Sequence, residues 1–463
     1  MTDELGLGNR WISNKSEIRI PNSEMEEPVV RFRVTPHPSE AQVLQGQNLA
    51  RTMYSIGAEA GGAGAGRQSV PVFLGVVMDQ SGSMEGSKLE SAKDALVKLL
   101  REVPDTDNVV VHITLFSDYA EEFMPPKTGR EIEREIGSLT SRIRGINAGG
   151  QTSLGSGLRI ALEASRRYPE YERRVLMITD GKQEGPVPIT DAYQAANELA
   201  YARIRIDAWG VGNGWEADEL RTIAHTTGGE AEVVPNARDL ADAVTELFTD
   251  VQSTVASNVR LVLNTPVGTR IRSVRQVYPS VQDRAAEQMN EQKWIISIGA
   301  LGNEEPKFVI ELETTPRGNN IPFRILVPTV VYNLGSEEQV DELDRSAWFF
   351  VRWVGSPTEI KMDEQLTRFT GEEEIASLSQ EGFALLDMGA VDEATAKLSA
   401  ALQKAVQINS PQAVVLSAVV NPRTGKLVST NASDAVNKTG KLHTGKTGKI
   451  MAGTGKLPTP QQK

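Results

Sequence analysis

Hydrophobic positions follow different rules in successive stretches of the chain. From Val70 to about Val255, continuous apolar runs alternate with stretches in which apolar residues recur every three or four positions. The runs predict strands over Val72 to Met78, Val109 to Phe116, Val175 to Thr179, Ile204 to Val211 and Ala231 to Val234. The helical spacing predicts helices over Lys88 to Val103, Glu131 to Ile143, Leu154 to Tyr168, Asp191 to Ala202, Ala217 to His225 and Ala237 to Gln252. A run such as Phe73-Leu-Gly-Val-Val-Met has no polar alternation, as a sheet covered on both faces requires. The fold class expected for residues 70–254 is a doubly wound, parallel-sheet α/β domain.

Between Val255 and Asn333 the period changes to two. Val259-Arg-Leu-Val-Leu, Ile271-Arg-Ser-Val-Arg-Gln-Val, Trp294-Ile-Ile-Ser-Ile, Phe308-Val-Ile-Glu-Leu and Phe323-Arg-Ile-Leu-Val read as short strands of a small β-sandwich over 255–335. In the N-terminal segment 1–69, Val29-Val-Arg-Phe-Arg-Val also alternates. A lone strand at about 28–35 exposes unpaired backbone groups, so it is expected to join the later sheet, making the α/β domain an insertion. Ala58 to Gly66, rich in Gly and Ala, is the expected flexible lead-in. Ser336 to Ile408 is expected to be helical, a domain over 336–410. Ala376, Leu378, Phe383, Leu385 and Leu386 and then Ala394, Leu398, Ala401, Leu402 and Val406 keep helical spacing on either side of Gly389. The stretch 411–463 repeats Thr-Gly-Lys at Thr424, Thr439, Thr444, Thr447 and Thr454 and lacks large apolar residues, so a disordered tail is expected.

Charge sharpens the picture. The 463 residues carry a net −12, yet residues 421–463 alone carry +7, leaving −19 on the other 420. A body this acidic has no general attraction to nucleic acid or anionic lipid, so no nucleic acid partner is expected. The basic tail has three readings: it is a solvated linker end, its threonines are modification or recognition sites for a phosphothreonine-reading module, or it docks on the acidic remainder of its own chain. There is no cysteine, which excludes disulfides, thiolate zinc sites and cysteine nucleophiles. Met1 to Arg10 holds Asp3 and Glu4 and no apolar run of signal-peptide length, and Val70 to Met78 is too short to span a bilayer. No membrane span and a cytoplasmic location are expected.

Ligands of such sheets bind beyond the carboxyl ends of the strands, at the switch point. Three segments place oxygens there: Asp79-Gln-Ser81-Gly82-Ser83-Met84, Gly149-Gly150-Gln151-Thr152, and Thr179-Asp180-Gly181. Of these, the two carboxylates Asp79 and Asp180 and the three hydroxyls of Ser81, Ser83 and Thr152 make a hard, all-oxygen set suited to Mg²⁺, Mn²⁺ or Ca²⁺. There are too few protein ligands for a closed shell, so water or an external carboxylate must complete it.

Asp79-x-Ser81-x-Ser83 with Thr152 and Asp180, inside the phrases Gly-Gly-x-Thr-x-Leu-Gly-x-Gly-Leu and Ile-Thr-Asp-Gly, resembles the metal-ion-dependent adhesion site of von Willebrand factor type A (VWA) domains, over about Val70 to Asp250. The resemblance implies that Ser81 and Ser83 hold the metal directly, that Thr152 joins them when a partner is bound, and that Asp79 and Asp180 act through water. It implies a non-enzymatic interaction module of intracellular bacterial type with a regulatory or assembly role. Its partner would present Asp or Glu to loops near Gly82, Met84, Gly150, Gln151 and Gly181. AAA+ ATPases are partners of similar proteins. It also implies a switch in which the Thr152 loop moves the last helix, Ala237 to Gln252. The rival is a phosphatase-like, metal-dependent hydrolase using Asp79 as nucleophile; such enzymes resemble Asp-x-Asp, and Ser81 stands where the second carboxylate is needed. Gly440-Lys-Leu-His-Thr-Gly445-Lys446-Thr447 matches the spelling of a phosphate loop, but it arises from overlapping repeats and lacks the preceding strand.

Overall fold

The computed structural model describes residues 30–448, apart from 61–69, 185–186, 213, 235, 319, 335–336 and 429–432. Three strands come first: β1 (Val30–His37), β2 (Glu40–Leu44) and β3 (Leu49–Ala60). The α/β domain then runs β4 (Val72–Asp79), α1 (Ser87–Glu102), β5 (Val109–Phe116), β6 (Ala120–Thr128), α2 (Gly129–Arg144), α3 (Leu154–Ser165), β7 (Glu172–Thr179), α4 (Ile189–Tyr201), β8 (Arg205–Val211), α5 (Ala217–Thr226), β9 (Ala231–Val234) and α6 (Leu240–Gln252). Its sheet is ordered β6-β5-β4-β7-β8-β9, parallel except for β6, which pairs antiparallel with β5 at one edge. Every residue of β4 is buried. Leu96, Leu139 and Phe248 of α1, α2 and α6 cover one face of the sheet, and Leu158, Leu199 and Leu220 of α3, α4 and α5 cover the other. Because the chain passes from β4 outward to β5 and later returns to β7 on the other side, β4 ends at the switch point of the sheet.

From α6 the chain enters β10 (Ala256–Asn264), followed by β11 (Thr269–Tyr278), β12 (Gln282–Arg284), β13 (Ala286–Asn290), β14 (Lys293–Leu301), β15 (Lys307–Thr314), β16 (Phe323–Leu334), β17 (Glu337–Glu342) and β18 (Phe349–Val354). These strands and β1 to β3 form two sheets, β1-β3-β15-β11-β12 and β13-β14-β10-β16-β18-β2, with β17 on β16. Tyr54, Ile56, Leu261, Phe308, Ile310, Phe349 and Trp353 fill the space between them. The α/β domain therefore sits between β3 and β10 of a sandwich built from both flanks of the chain.

Three expectations need correction. The segment from Ser336 does not begin as helix: β17 and β18 complete the sandwich and the helices start at Glu364. Phe349-Phe-Val-Arg-Trp-Val puts Phe349, Val351 and Trp353 inward, a strand period hidden by an apolar Phe350 on the outer face. Ala58 to Ala60 belongs to β3 rather than to a linker, whose remainder, 61–69, lies outside the described residues. The tail from 411 is not disordered over its described part. After α7 (Glu364–Asp387) and α8 (Val391–Gln407), which pack through Ile375, Phe383, Leu398 and Leu402, come α9 (Gln412–Val419) and α10 (Ser433–Leu442). Residues 449–463, with Thr454, lie outside the described residues.

The junction of α/β domain and sandwich holds a buried charge cluster. Arg174 of β7 donates from Nε to Asp207 of β8 and from Nη1 to Asp250 of α6 at 2.9 Å. Burial pushes the Asp207 carboxyl up, but Arg174 and Arg205 overcome it and hold the group down at about 2. Asp207→Asn leaves the Arg174 guanidinium buried with half its counter-charge, and a loss of about 3 kcal/mol or more in urea unfolding is expected. Because the folded value lies below the unfolded one, about 3.9, the stability that Asp207 contributes is present above pH 4. It falls away as the pH drops toward 2, and its absence in the Asn variant should flatten that part of the acid unfolding curve.

Candidate metal centre

The five oxygens predicted from the sequence come from three loops at the carboxyl end of β4 and its neighbours. Asp79 closes β4 and is fully buried, with its Oδ1 accepting the Ser81 backbone N–H at 2.7 Å. That Asx turn directs the chain sharply away from the strand. Asp79 Oδ2 accepts from Thr179 Oγ1 at 2.5 Å across to β7. Ser81 Oγ and Ser83 Oγ are 3.0 Å apart, and Ser83 Oγ donates to Asp180 Oδ1 at 2.7 Å. Thr152 is buried, and its Oγ1 lies 3.0 Å from where a Cβ on Gly181 would stand, with Ser83 Oγ 3.6 Å from the same point. The structure thus brings Asp79, Ser81, Ser83, Thr152 and Asp180 into one group around Gly181.

Backbone bonds stitch the loops together. Gly82 N donates to Gly150 O at 2.9 Å and Gly149 N to Gln80 O at 2.8 Å, joining the Ser-Gly-Ser turn to the Thr152 loop. Gly150 has φ +84°, and a Cβ there would lie 2.5 Å from Asp118 Oδ2. Only glycine satisfies both demands. Asp118 Oδ1 in turn accepts from Gln151 N at 3.0 Å. Gln183 Oε1 takes the Leu154 N–H at 2.9 Å, tying α3 to the loop after Asp180. Gly82, Ser83, Gly150 and Gln151 are exposed and form the rim. Met84, expected at the partner-facing surface, is instead fully buried in the core beneath the site; its thioether fills the space under the turn.

Sequence reasoning missed four residues that act here: Thr179, Lys88, Asp118 and Gln183. Lys88 Nζ pairs with Asp180 Oδ2 and donates to Ser83 O at 3.2 Å. A lysine in the first turn of a helix opposes the helix dipole, and that mismatch at the start of α1 was a readable sign of a carboxylate nearby.

The donor set is chemically right for a hard cation. Among the described residues no cluster of three or more His, Cys, Asp or Glu gathers in metal-binding range, so any ion bound at this place relies on hydroxyls as well as carboxylates. Burial raises the Asp79 carboxyl to about 6, although hydrogen bonds from Thr179 and Ser81 pull it down; Asp180 adds a further upward push. Two acidic groups drawn out of water this close together favour a positive charge between them. Lys88 meets part of that demand from the Asp180 side, on a flexible stem that can withdraw.

Residues 74–250 match the family model of the von Willebrand factor type A domain. This segment is a VWA domain, of a family of protein-interaction modules. Among curated proteins, an uncharacterised protein of Synechocystis sp. is 23% identical over 218 residues, 46% of this chain and 50% of that one; the chain spans only about half the length of this relative. Among solved structures, a von Willebrand factor type A protein from Catenulispora acidiphila is similar with a TM-score of 0.78 at 23% identity, covering 92% of this chain and 98% of that one. The ArnB paralog VWA2 from Sulfolobus acidocaldarius follows with a TM-score of 0.57 at 15% identity, covering 89% and 98%. Both likenesses show the fold, and they extend it beyond the VWA domain to the sandwich. No helix among the described residues is long and apolar enough to cross a membrane.

Thr179→Val removes a donor to the buried Asp79 carboxylate. In chelator-treated protein the Asp79 titration, followed by carboxyl ¹³C shifts, is expected to move up from about 6 by roughly one unit, the equivalent of one charge-assisted hydrogen bond. An unchanged midpoint would show that Thr179 does not govern it.

Proposed function

We propose that this protein is a non-enzymatic interaction module that grips an acidic side chain of a partner protein through a divalent cation, Mg²⁺ or in its place Mn²⁺ or Ca²⁺. The observation that carries the reading is the meeting of Ser83 Oγ, Asp180 Oδ1 and Thr152 Oγ1 around Gly181 beneath an exposed glycine rim. Ser81, Ser83 and Thr152 would hold the ion through their hydroxyls, with Asp79 and Asp180 balancing its charge from behind. The ion supplies an electrophilic position that a partner's Asp or Glu can fill. Asp79, locked by Thr179 and Ser81, keeps the Ser-Gly-Ser turn in place. Gly82, Gly150 and Gln151 leave the approach open to a protruding side chain, and Gly150 could not carry a side chain without striking Asp118.

The role is assembly or regulation inside the cell, with the sandwich and helices presenting the VWA domain to its partner. AAA+ ATPases are the partner class implied by the resemblance of the motif. α6 ends at Gln252 and β10 starts at Ala256, so a shift of the Thr152 loop passed to α6 would be felt in the sandwich.

Two measurements test the reading. Partner capture from the native source is expected in millimolar Mg²⁺, lost on chelation, and lost for Ser81→Ala and Asp180→Ala proteins that keep the wild-type melting temperature; equal capture by all of them would overturn it. Calorimetric titration with Mg²⁺ or Mn²⁺ is expected to show one site, bound about tenfold more tightly by Lys88→Met because the competing ammonium at Asp180 is gone. Absence of heat at millimolar ion in both proteins would mean that the site takes no cation.

A further inference from the structure

The Thr-Gly-Lys repeats find a use that the metal centre does not supply. Beyond α10 the chain runs into a slot where β9 of the VWA domain, the β11–β12 turn of the sandwich, α7 and α9 all meet. Within it His443 is fully buried, and Thr444, Lys446 and Thr447 are nearly so. Lys446 Nζ pairs with the buried carboxylate of Glu232, which His443 Nε2 approaches from the other side at 3.1 Å. The backbone is gripped along its length. Val281 N donates to Gly445 O at 2.7 Å, Thr447 N to Pro279 O at 2.8 Å and Gly448 N to Pro279 O at 2.6 Å. Gln412 Nε2 caps both His443 O and Lys446 O, at 2.6 and 2.7 Å.

Three side-chain requirements make this slot selective. Gly445 has φ +80°, and a Cβ on it would stand 3.2 Å from the Val281 Cβ and 3.4 Å from that of Ala376. Lys446 answers Glu232. Thr447 Oγ1 donates to Val277 O at 2.5 Å. Gly-Lys-Thr occurs once in the 463 residues; every other Thr-Gly-Lys copy of the tail continues with Leu or Ile where Thr447 stands. The slot therefore holds the one copy that meets all three requirements. Acids surround the lysine: burial, helped by Arg205, lowers the Lys446 ammonium on balance, although Glu230 and Asp207 draw it up. His443, driven to about 4 mainly by burial, stays neutral and leaves the positive role to the lysine.

We propose that this seam is a peptide-binding slot specific for Gly-Lys-Thr, occupied in cis by Gly445-Lys446-Thr447 as an intramolecular ligand that latches the VWA domain, the sandwich and the helices together. Loss of the Lys446 charge leaves the Glu232 carboxylate buried without its counter-ion, and a bulky anionic group on Thr447 Oγ1 displaces its bond to Val277 O; either opens the latch.

The test uses the full chain and a fluorescent peptide of residues 438–448. In wild-type protein, hydrogen exchange is expected to find the amides of Val281, Thr447 and Gly448 protected, and the added peptide to bind poorly because the tethered segment already fills the slot at high effective concentration. A Lys446→Glu chain, its latch expelled, is expected to bind the peptide at least about tenfold more tightly than wild type does. It should discriminate by a similar factor against peptides carrying Lys446→Glu or Gly445→Val. Free-peptide exchange rates at Thr447 and Gly448 in wild type would overturn the proposal, as would equal binding of all three peptides. If Lys446→Glu does not fold, Thr447→Val serves as the weakened latch, and the wild-type exchange result decides on its own. A wild-type dimer whose slot protection falls on dilution would overturn the assignment in cis.

Discussion

The structure turns on a carboxylate removed from water at the end of the central strand. Asp79 belongs to an eight-residue strand with every residue buried, so its side chain has the protein alone for solvent. That single placement demands donors, and the nearby loops supply them. The Ser81 amide turns back to it and Thr179 reaches across from β7. Where those donors fall short, the carboxyl rises to about 6 by burial. A fold that only needed to close a turn would end this strand with an exposed Asp or Asn at no such cost. The buried acid makes sense as one side of a cation site.

Charge pairing also decides how the three parts of the molecule are held. Arg174 sits under the sheet and joins β7, β8 and α6 through Asp207 and Asp250, fixing the far end of the helix that carries the chain back into the sandwich. On the sandwich side, Arg352 on β18 makes a two-pronged pair with Glu40 on β2, at 2.7 and 3.2 Å, where two strands more than three hundred residues apart run parallel. The helical hairpin is tied to the five-stranded sheet by Glu373, which Arg51 meets at 3.2 Å. Each link joins segments distant in sequence, and the VWA domain itself meets the sandwich where Ser280 Oγ and Gln282 Nε2 donate to Glu230 at 2.7 and 3.3 Å.

The parts legible in the sequence were those with strong local period. The α/β domain announced itself because Val72 to Met78 of β4 is apolar throughout, β5 and β7 carry apolar runs such as Val109-Val-Val and Val175-Leu-Met-Ile, and their helices keep an amphipathic stripe. The site residues announced themselves because Asp79-x-Ser-x-Ser, Thr152 and Asp180 fall at the ends of those runs. What escaped notice lacks period. β6 is an edge strand whose exposed side carries Glu121 and Glu122 and whose middle holds Pro125 and Pro126, with Met124 its one fully buried side chain. β18 was hidden by its outward Phe350. Met84 looked like a surface residue of a ligand loop, yet a tight turn over a strand end needs an apolar plug beneath it. Thr179 acts through a contact that fold topology creates and local pattern does not record, and Lys88 shows in the sequence only as a charge set against its helix dipole.

The tail was misread for a related reason. Its composition, glycine and lysine with few large apolar groups, cannot build a core of its own, and that inference is sound for an isolated segment. It fails when the partner surface is another part of the same molecule that offers carboxylates, one of them, Glu232, buried. Lys446 meets Glu232, Lys441 meets Asp387 at 2.5 Å and Lys438 meets Glu216 at 3.2 Å, so three lysines of a segment that looks like solvated linker each neutralise an acid of the body. Charge asymmetry between two parts of one chain, +7 against −19, is therefore a statement about intramolecular recognition as much as about solubility. Its specificity comes from what charge alone cannot give: a glycine at a positive φ that side chains rarely adopt and a threonine hydroxyl aimed at one carbonyl.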